Sequence, residues 1–240
     1  MKSSLLFISL VIPLFWTPSW SANPARPAQA PAESNPLDAV LKKMDATAAS
    51  FRAVQADFEW DRYEKVINEV DDIQSGTIYY RRVGSDIQMM ADISKPDAKY
   101  VLFRDGRVSV YQPKPDQLTV YDAGKSRAEV ENYLVLGFGG SGQDLVKSFD
   151  VTYVGPQTIQ GVATAELRLV PKSEKVRGTF AQILLWIDLD RGISVQQQLF
   201  EPQGDYRLAK YSNIRNRDKI GDEVFKLKTT HKTATVQPRG

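Results

Sequence analysis

Apolar residues recur at intervals of three and four positions near the start of the predicted fold. They are Leu37, Val40, Leu41, Met44, Ala48 and Phe51. This spacing places them along one face of an amphipathic α-helix. Asn35 is a suitable N-cap and Pro36 suits the first helical position, so we predict that the helix begins at residue 36. The apolar face of this helix is therefore expected to pack against another hydrophobic surface.

From residue 56 the hydrophobic period changes to two, with Ala56, Phe58 and Trp60 alternating with acidic residues. This period is typical of β-strands, and turn-forming residues separate about eleven such segments. The predicted strands are residues 56–61, 77–82, 87–93, 99–103, 108–111, 118–121, 150–154, 162–170, 180–188, 193–200 and 206–213. Their short connections exclude parallel crossovers and predict an antiparallel meander. Asp105-Gly106 is a strong hairpin signal, whereas Asp71 and Asp72 are predicted to lie in a solvated loop.

One helical interlude divides the strands. Ser126 can cap a helix over residues 127–136, and residues 143–149 form a second short helix. Between them, Gly137, Gly139 and Gly142 match the dinucleotide-binding pattern G-x-G-x-x-G. That site requires a βαβ unit, which the strand pattern does not provide. We therefore interpret Gly137 as a left-handed helix end and the other glycines as turn residues.

The N-terminus has the pattern of an export signal. Lys2 is followed by an apolar stretch over residues 5–16, and small residues precede the predicted cleavage after Ser21. Residues 22–35, rich in Pro and Ala, are predicted to be a flexible linker. Residues 36–240 are predicted to form a single domain. No segment after the leader approaches eighteen consecutive apolar residues, so we expect an exported, soluble protein.

Composition restricts the chemistry. The absence of cysteine removes disulfides, thiolate sites and a lipid-bearing cysteine. Removing the leader takes away Lys2 and no acid, so the formal net charge falls from +2 to +1, which gives no reason to expect nucleic-acid binding. With His231 as the only histidine, a His-based triad is unlikely and a multi-histidine metal site is impossible. We expect neither catalysis nor a cofactor.

Two groups of charged residues are candidates for function. Asp188 and Asp190 could act as an acid–base or metal-binding pair on one strand face, although a hairpin turn with a salt bridge to Arg191 is the preferred interpretation. A second group frames an exposed hairpin, where it serves solubility or, alternatively, docking near a membrane. Its members are Arg168, Lys172, Lys175 and Arg177. The sheet itself leaves two interpretations open, a core filled by the helices or a half-barrel with an apolar pocket.

Several segments in order resemble the periplasmic outer-membrane lipoprotein carrier family, LolA. They are FRAVQADF at 51–58, SGTIYYRR at 75–82, KYVLFRDG at 99–106, LLWID at 184–188 with Gly192, QG at 203–204, YSN at 211–213 and VFKL at 224–227, the last expected to be an aromatic strand. The order fits from about Pro36 to Leu227. The resemblance implies a mainly β fold of the α+β type, an incomplete antiparallel barrel closed by amphipathic lid helices.

The resemblance also implies a function. Such carriers hold the acyl chains of lipoproteins, accept them from an ATP-driven inner-membrane transporter of the ABC type and deliver them toward the outer membrane. We therefore expect a periplasmic monomer with transient membrane contact; the sequence leaves open whether an outer-membrane acceptor exists. Arg82 matches the arginine that holds the lid in the family, with Arg81 as a register neighbour. A charged group bonded to lid carbonyls would be a reversible latch.

The expected cavity lining combines inward positions of alternating strands with two residues of the lid. Its members are Phe58, Trp60, Ile78, Tyr80, Ile87, Met89, Leu102, Leu134, Phe138, Leu185 and Ile187. The chain departs from the family where Val83 replaces a proline and residues 228–231 replace a proline-glycine pair. A related stress-sensing family adds a second domain; because residues 214–240 are too few for one, we expect a single domain here. The alternative functions are a lipid-binding sensor or shuttle for phospholipid or glycolipid, and a hydrolase using Asp188 and Asp190.

Overall fold

The computed structural model of the protein describes residues 35–84, 86–122, 124 and 136–238. The predicted signal peptide, most of the predicted linker, the predicted helix over residues 127–136 and the cavity candidate Leu134 lie outside these ranges, apart from Leu136 at the end of that helix. Their predictions stay predictions.

The first helix, α1, spans Pro36–Ser50 and begins where the sequence predicts. The Asn35 side chain accepts a hydrogen bond from the Leu37 backbone N–H at 3.1 Å, and Pro36 occupies the first turn, where a missing N–H costs nothing. Val40 and Met44 are buried, one turn apart on the predicted apolar face. The hydrophobic pattern of this helix therefore determines its orientation on the sheet.

In the described residues, twelve strands form one sheet, and all eleven predicted strands are among them. They are β1 (Ala53–Glu64), β2 (Glu69–Val83), β3 (Asp86–Lys95), β4 (Lys99–Arg104), β5 (Arg107–Gln112), β6 (Gln117–Asp122), β7 (Phe149–Ile159), β8 (Val162–Pro171), β9 (Gln182–Asp188), β10 (Ser194–Phe200), β11 (Tyr206–Arg217) and β12 (Ala234–Val236). Their spatial order is β12-β6-β5-β4-β3-β2-β1-β11-β10-β9-β8-β7. The sheet is open, since β12 and β7 are its two edges. The predicted incomplete barrel is therefore confirmed.

The strand pairing corrects the sequence prediction in two places. Strand β2 begins at Glu69, so Asp71 and Asp72 belong to a long hairpin rather than a loop, and Asp72 lies opposite Arg62. Strand β12, which the hydrophobic pattern does not predict, pairs in parallel with β6, whereas the other neighbouring strands pair antiparallel. The predicted turn at Asp105-Gly106 is confirmed, with both residues at positive φ.

Short helical elements complete the described chain. Helix α2 (Gly142–Ser148) confirms the second predicted helix, and the Ser141 side chain caps it by accepting from the Asp144 N–H. Helix α3 (Glu174–Arg177) lies between β8 and β9, where the sequence predicts a plain hairpin. A 3₁₀ turn spans Asp222–Phe225, so the prediction of an aromatic strand at residues 224–227 is wrong. Phe225 is nevertheless buried, because the turn packs onto the sheet.

Within the described ranges, the buried side chains form three clusters. The central cluster lies on the inner face of β1, β2, β3 and β11 and includes Phe58, Ile78, Tyr80 and Tyr211. The helical cluster joins α1 and α2 to β8 and β9. The outer cluster covers the opposite face of β3 and β4, where residues 218–227 pack over the sheet. This part of the sheet is therefore buried on both faces.

Candidate functional site: an apolar cavity with a charged mouth

A cavity of about 460 Å³ opens on the inner face of the sheet. Ligand sites in proteins commonly enclose about 300–1,000 Å³, so the space suits a small ligand. Its lining comes mainly from β1, β2, β10 and β11, with single residues from β3, β4 and the segment before β9. The lining residues are Trp60, Asp61, Arg62, Asp72, Gln74, Ile78, Tyr80, Met89, Lys99, Phe180, Gln197, Leu199, Arg207, Leu208, Ala209 and Tyr211.

The floor of the cavity is apolar and aromatic. Tyr80 and Tyr211 are buried, and Phe138 is fully buried between them. The Phe138 ring stacks on Tyr80 with ring centroids 5.1 Å apart and meets Tyr211 edge-on at 4.6 Å. Burial raises the pKa of Tyr80 and of Tyr211, so both phenols stay neutral. The floor therefore carries no charge that would oppose a hydrocarbon chain.

A glycine loop, residues 136–141, lies beside this floor and carries Phe138. Gly137 and Gly139 have φ of 76° and 81°, so the predicted left-handed conformation at Gly137 is confirmed. The Ser194 N–H donates to the Gly137 carbonyl at 2.8 Å, and the Gln197 side-chain amide donates to the Leu136 carbonyl. The G-x-G-x-x-G pattern thus belongs to a loop over an antiparallel sheet, without a βαβ unit in the described residues.

Arg82 connects β2 to the glycine loop. Its Nη2 donates to the Gly139 carbonyl at 3.0 Å, and its guanidinium lies 5.9 Å from the centroid of the Phe51 ring. Arg81 points to the other face, as expected for the next residue of a strand. There it donates to the Ile220 carbonyl, forms a 2.7 Å ion pair with Asp222 and lies 4.2 Å from the Phe225 ring centroid. Of the two arginines, Arg82 alone contacts the loop.

The structure brings most of the expected cavity residues to one face. Trp60, Ile78, Tyr80 and Met89 line the cavity, and three more belong to the central cluster that supports it. These three are Phe58, Ile87 and Phe138.

The other expected residues lie elsewhere. Leu102 packs against the outer cluster, so its assignment to the inner face is wrong. Leu185 and Ile187 belong to the helical cluster and pack with the apolar residues of α1 rather than line the cavity. The pattern of a single strand does not reveal which of its faces points inward, nor which part of the inner face a helix covers. These two features account for the differences.

Sequence reasoning missed the half of the lining that comes from the C-terminal strands. Leu199 on β10 and Ala209 and Tyr211 on β11 face the same space as Trp60. The alternation in residues 206–213 marks Tyr211 and Ala209 as one face, which could have identified them. Their proximity to β1 follows only from the pairing of β1 with β11, for example Trp60 opposite Ala209.

The cavity mouth carries charged side chains. Arg62 on β1 and Arg207 on β11 are cross-strand partners, and Lys99 and Asp72 also line the opening. Arg62 forms a 3.0 Å ion pair with Glu64. The side chains of Arg62 and Arg207 are 42% and 60% exposed, in contrast to the buried floor. The cavity therefore runs from an apolar interior to a polar, solvent-accessible rim.

Asp188 and Asp190 do not form a carboxylate pair on a strand. Asp188 ends β9, whereas Asp190 lies in the following turn. Asp188 accepts from the backbone N–H groups of Asp190 and Arg191 and forms a 2.5 Å ion pair with Arg191. Burial alone would raise the pKa of Asp188, but these hydrogen bonds outweigh it and lower the pKa. The preferred interpretation, a turn with a local salt bridge, is confirmed.

Other candidate chemistry is limited in the part of the chain that the structure describes. No group of three or more His, Asp or Glu side chains there could hold a metal ion. No helix there is long and apolar enough to cross a membrane. The basic group is divided between β8, which carries the exposed Arg168, and the segment around α3, where Arg177 donates to the Pro171 carbonyl at 2.9 Å. A docking role for this group stays a prediction.

The sequence matches no protein-family model and no curated protein. Similar solved structures include MucB, with a TM-score of 0.51 and 13% identity over 80% of this chain and 62% of MucB. An uncharacterized conserved protein from Thermus thermophilus has a TM-score of 0.53 and 10% identity over 84% of this chain and 98% of its own. A LolA superfamily protein from Nitrosomonas europaea has a TM-score of 0.40 and 12% identity over 80% and 97%.

The chain thus spans 62% of the length of MucB. Identities of 10 and 13% show a shared fold and nothing finer. Together with the open sheet of the described residues and the helices packed against β8 and β9, the matches to MucB and to the Thermus thermophilus protein support the architecture expected from the sequence. The chain therefore shares the fold of these two proteins.

Proposed function

We propose that the protein is a carrier that shields acyl chains in the apolar cavity. The observation that carries this proposal is the gradient from the buried floor of Tyr80, Tyr211 and Phe138 to an exposed, charged mouth. An amphiphile has the same gradient, since its hydrocarbon avoids water and its polar end does not. Binding, rather than catalysis, is the role of such a site.

The energetic need for a carrier is large. Exposure of one methylene group to water costs about 0.8 kcal/mol, so a chain of 16 carbons costs on the order of 12 kcal/mol in water. A carrier must offset most of this cost without matching a bilayer, because delivery would otherwise be uphill. A cavity that stays open to solvent at its mouth meets both conditions.

Movement of the glycine loop would control access. One hydrogen bond from Arg82 to the Gly139 carbonyl holds the loop against β2, and water can replace it. Phe138, which fills the space between the two tyrosines, would leave the floor when the loop moves. The proposed role of Arg82 is thus a latch for the empty, closed state.

The family resemblance gives the first candidate cargo and route. We propose that the protein is exported to the periplasm, takes lipoproteins from an ATP-driven transporter in the inner membrane and moves them toward the outer membrane. The second candidate cargo is a phospholipid or glycolipid, which the charged residues at the mouth favour because a polar headgroup would lie beside them.

Native mass spectrometry tests this proposal on protein purified from periplasm without detergent, followed by organic extraction of any ligand. A lipoprotein in one-to-one stoichiometry would support the first cargo, and a phospholipid or glycolipid the second. Protein that is recovered empty and that also fails to take up a fluorescent fatty acid in vitro would refute the carrier function.

A further inference from the structure

Two arginines face each other across the mouth of the cavity. Arg62 on β1 lies directly opposite Arg207 on β11, and both side chains line the opening. Directly opposed side chains on neighbouring strands have Cβ atoms about 4.5–5.5 Å apart, and like charges in such a pair destabilise a sheet. A pair of this kind at a cavity mouth is favourable when an anion lies between the guanidinium groups.

The ion pair of each arginine with a carboxylate leaves other guanidinium N–H donors available. Glu64 contacts Nη2 of Arg62 at 3.0 Å, and Glu201 contacts Nε of Arg207 at 3.3 Å. The Nε of Arg62 is buried and has no hydrogen-bond partner in the described structure. A guanidinium offers five N–H donors, so donors remain on both side chains after these contacts. The buried Nε in particular lacks the acceptor that such a group normally has.

The other charges at the mouth limit the charge of the ligand. Lys99 adds a third cation to the lining. Asp72 lies opposite Arg62 on β2, the neighbour of β1 on the side away from β11. The Asp72 carboxylate accepts a hydrogen bond from the Gln74 side-chain amide. Asp61 also contributes to the lining but forms a 2.8 Å ion pair with Lys210. Among the lining residues, three cations and two carboxylates leave a formal excess of one positive charge, which suits a singly charged anion better than a multiply charged one.

We propose that Arg62 and Arg207 bind the phosphodiester of a phospholipid whose acyl chain occupies the apolar cavity. This inference rests on the proposed carrier function and favours the second candidate cargo, a phospholipid, over a lipoprotein. A phosphodiester carries one negative charge and accepts hydrogen bonds from two guanidinium groups at once. The diacylglyceryl group of a lipoprotein has no phosphate, so the arginine pair distinguishes the two candidate cargoes.

Calorimetric titration of the delipidated full-length chain tests the proposal with three ligands. Palmitoyl lysophosphatidylglycerol supplies an acyl chain and a phosphodiester, monopalmitoylglycerol supplies the chain alone, and inorganic phosphate supplies the anion alone. We expect the phospholipid to bind at least about tenfold more tightly than monopalmitoylglycerol, because hydrogen bonds between charged groups are added to the same apolar contacts.

The variant R62Q/R207Q should lose this preference and keep its affinity for monopalmitoylglycerol. R168Q is the matched control, because it removes an exposed arginine of β8 that does not line the cavity. Thermal unfolding verifies that each variant is folded. If the double variant does not fold, R207Q replaces it, since the Arg207 side chain is 60% exposed.

Equal affinity of the native protein for both acyl ligands would overturn the headgroup site and leave the carrier function intact. A preference that persists in R62Q/R207Q would also overturn it. Inorganic phosphate that binds as tightly as the phospholipid would refute a lipid as the source of the anion. Failure of both acyl ligands to bind would overturn the carrier function and this inference together.

Discussion

Substitution of Arg82 by leucine tests whether the glycine loop is a latch. The Arg82 guanidinium donates to the Gly139 carbonyl at 3.0 Å, whereas its backbone N–H donates to the Arg52 carbonyl at 2.8 Å and is unaffected by the change. We therefore expect R82L to fold with an intact sheet. The variant loses the hydrogen bond to the loop and the contact with the Phe51 ring, whereas the stacking of Phe138 on Tyr80 remains.

The magnitude follows from the kind of bond. A hydrogen bond to a charged group contributes about 1.5–3 kcal/mol when it is not fully exposed to water. The bond stabilises the closed, empty state, and the loaded state does not need it. Its loss therefore favours the loaded state, so the affinity for cargo should rise about 10- to 150-fold and release should slow accordingly.

The assay is transfer of a fluorescent fatty acid from the protein to acceptor vesicles, followed in time. R82L should release the probe more slowly than the native protein, and its empty form should unfold at a lower temperature. R107L is the control, because the Arg107 side chain is 64% exposed and contacts Asp122 only at 4.0 Å. Release from R82L that is as fast as from the native protein, or faster, would refute the latch.

Three further substitutions test the cavity, the β9 turn and the glycine loop, with G84A as the control for the last of them. A209F should fill the floor beneath the cavity mouth and abolish fatty-acid binding, measured by probe fluorescence, without unfolding the protein. D188N should lower the free energy of unfolding by about 1–3 kcal/mol in urea at pH 7. Because the folded-state pKa of Asp188 is lowered, this contribution exists above the unfolded value of about 3.9, and the difference between variant and native protein should shrink as the pH falls below it. G137A should increase hydrogen exchange in the glycine loop, since φ is 76° and the new Cβ would lie 2.2 Å from the Ser194 Cβ. G84A, at φ 62° with open space around it, should lower the free energy of unfolding by only about 1–2 kcal/mol.

The sequence by itself determined the local elements. Asn35 and Pro36 mark the start of α1 because a cap and a preset φ act within one turn. The eleven predicted strands follow from a period of two, and Asp105-Gly106 from the φ values that a hairpin turn demands. Caps, strand periodicity and turn residues depend only on residues close together in the chain, so one sequence is sufficient to predict the elements that they specify.

Local signals failed where another part of the chain changes the environment. Alternation predicts Leu102 on the inner face, but β4 is apolar on both faces because the segment containing Phe225 covers its outer side. Alternation carries no phase when both faces are buried. The polar side chains of Asp71 and Asp72 predict a loop, yet the hydrogen-bonded hairpin of β1 and β2 extends through them. Strand pairing provides hydrogen-bond partners for the backbone N–H and C=O groups whichever side chains the residues carry.

The candidate site was only partly readable from the sequence. Trp60, Ile78, Tyr80 and Met89 could be predicted, because β1, β2 and β3 are consecutive and pair as a meander. The other side of the cavity comes from β10 and β11, which join β1 through a long-range pairing. That pairing alone places Arg207 opposite Arg62 and creates the charged mouth. The sequence therefore determined the elements and their apolar faces, whereas the tertiary structure decided which faces meet, because the pairing of strands that are distant in the chain is not encoded in the pattern of either strand.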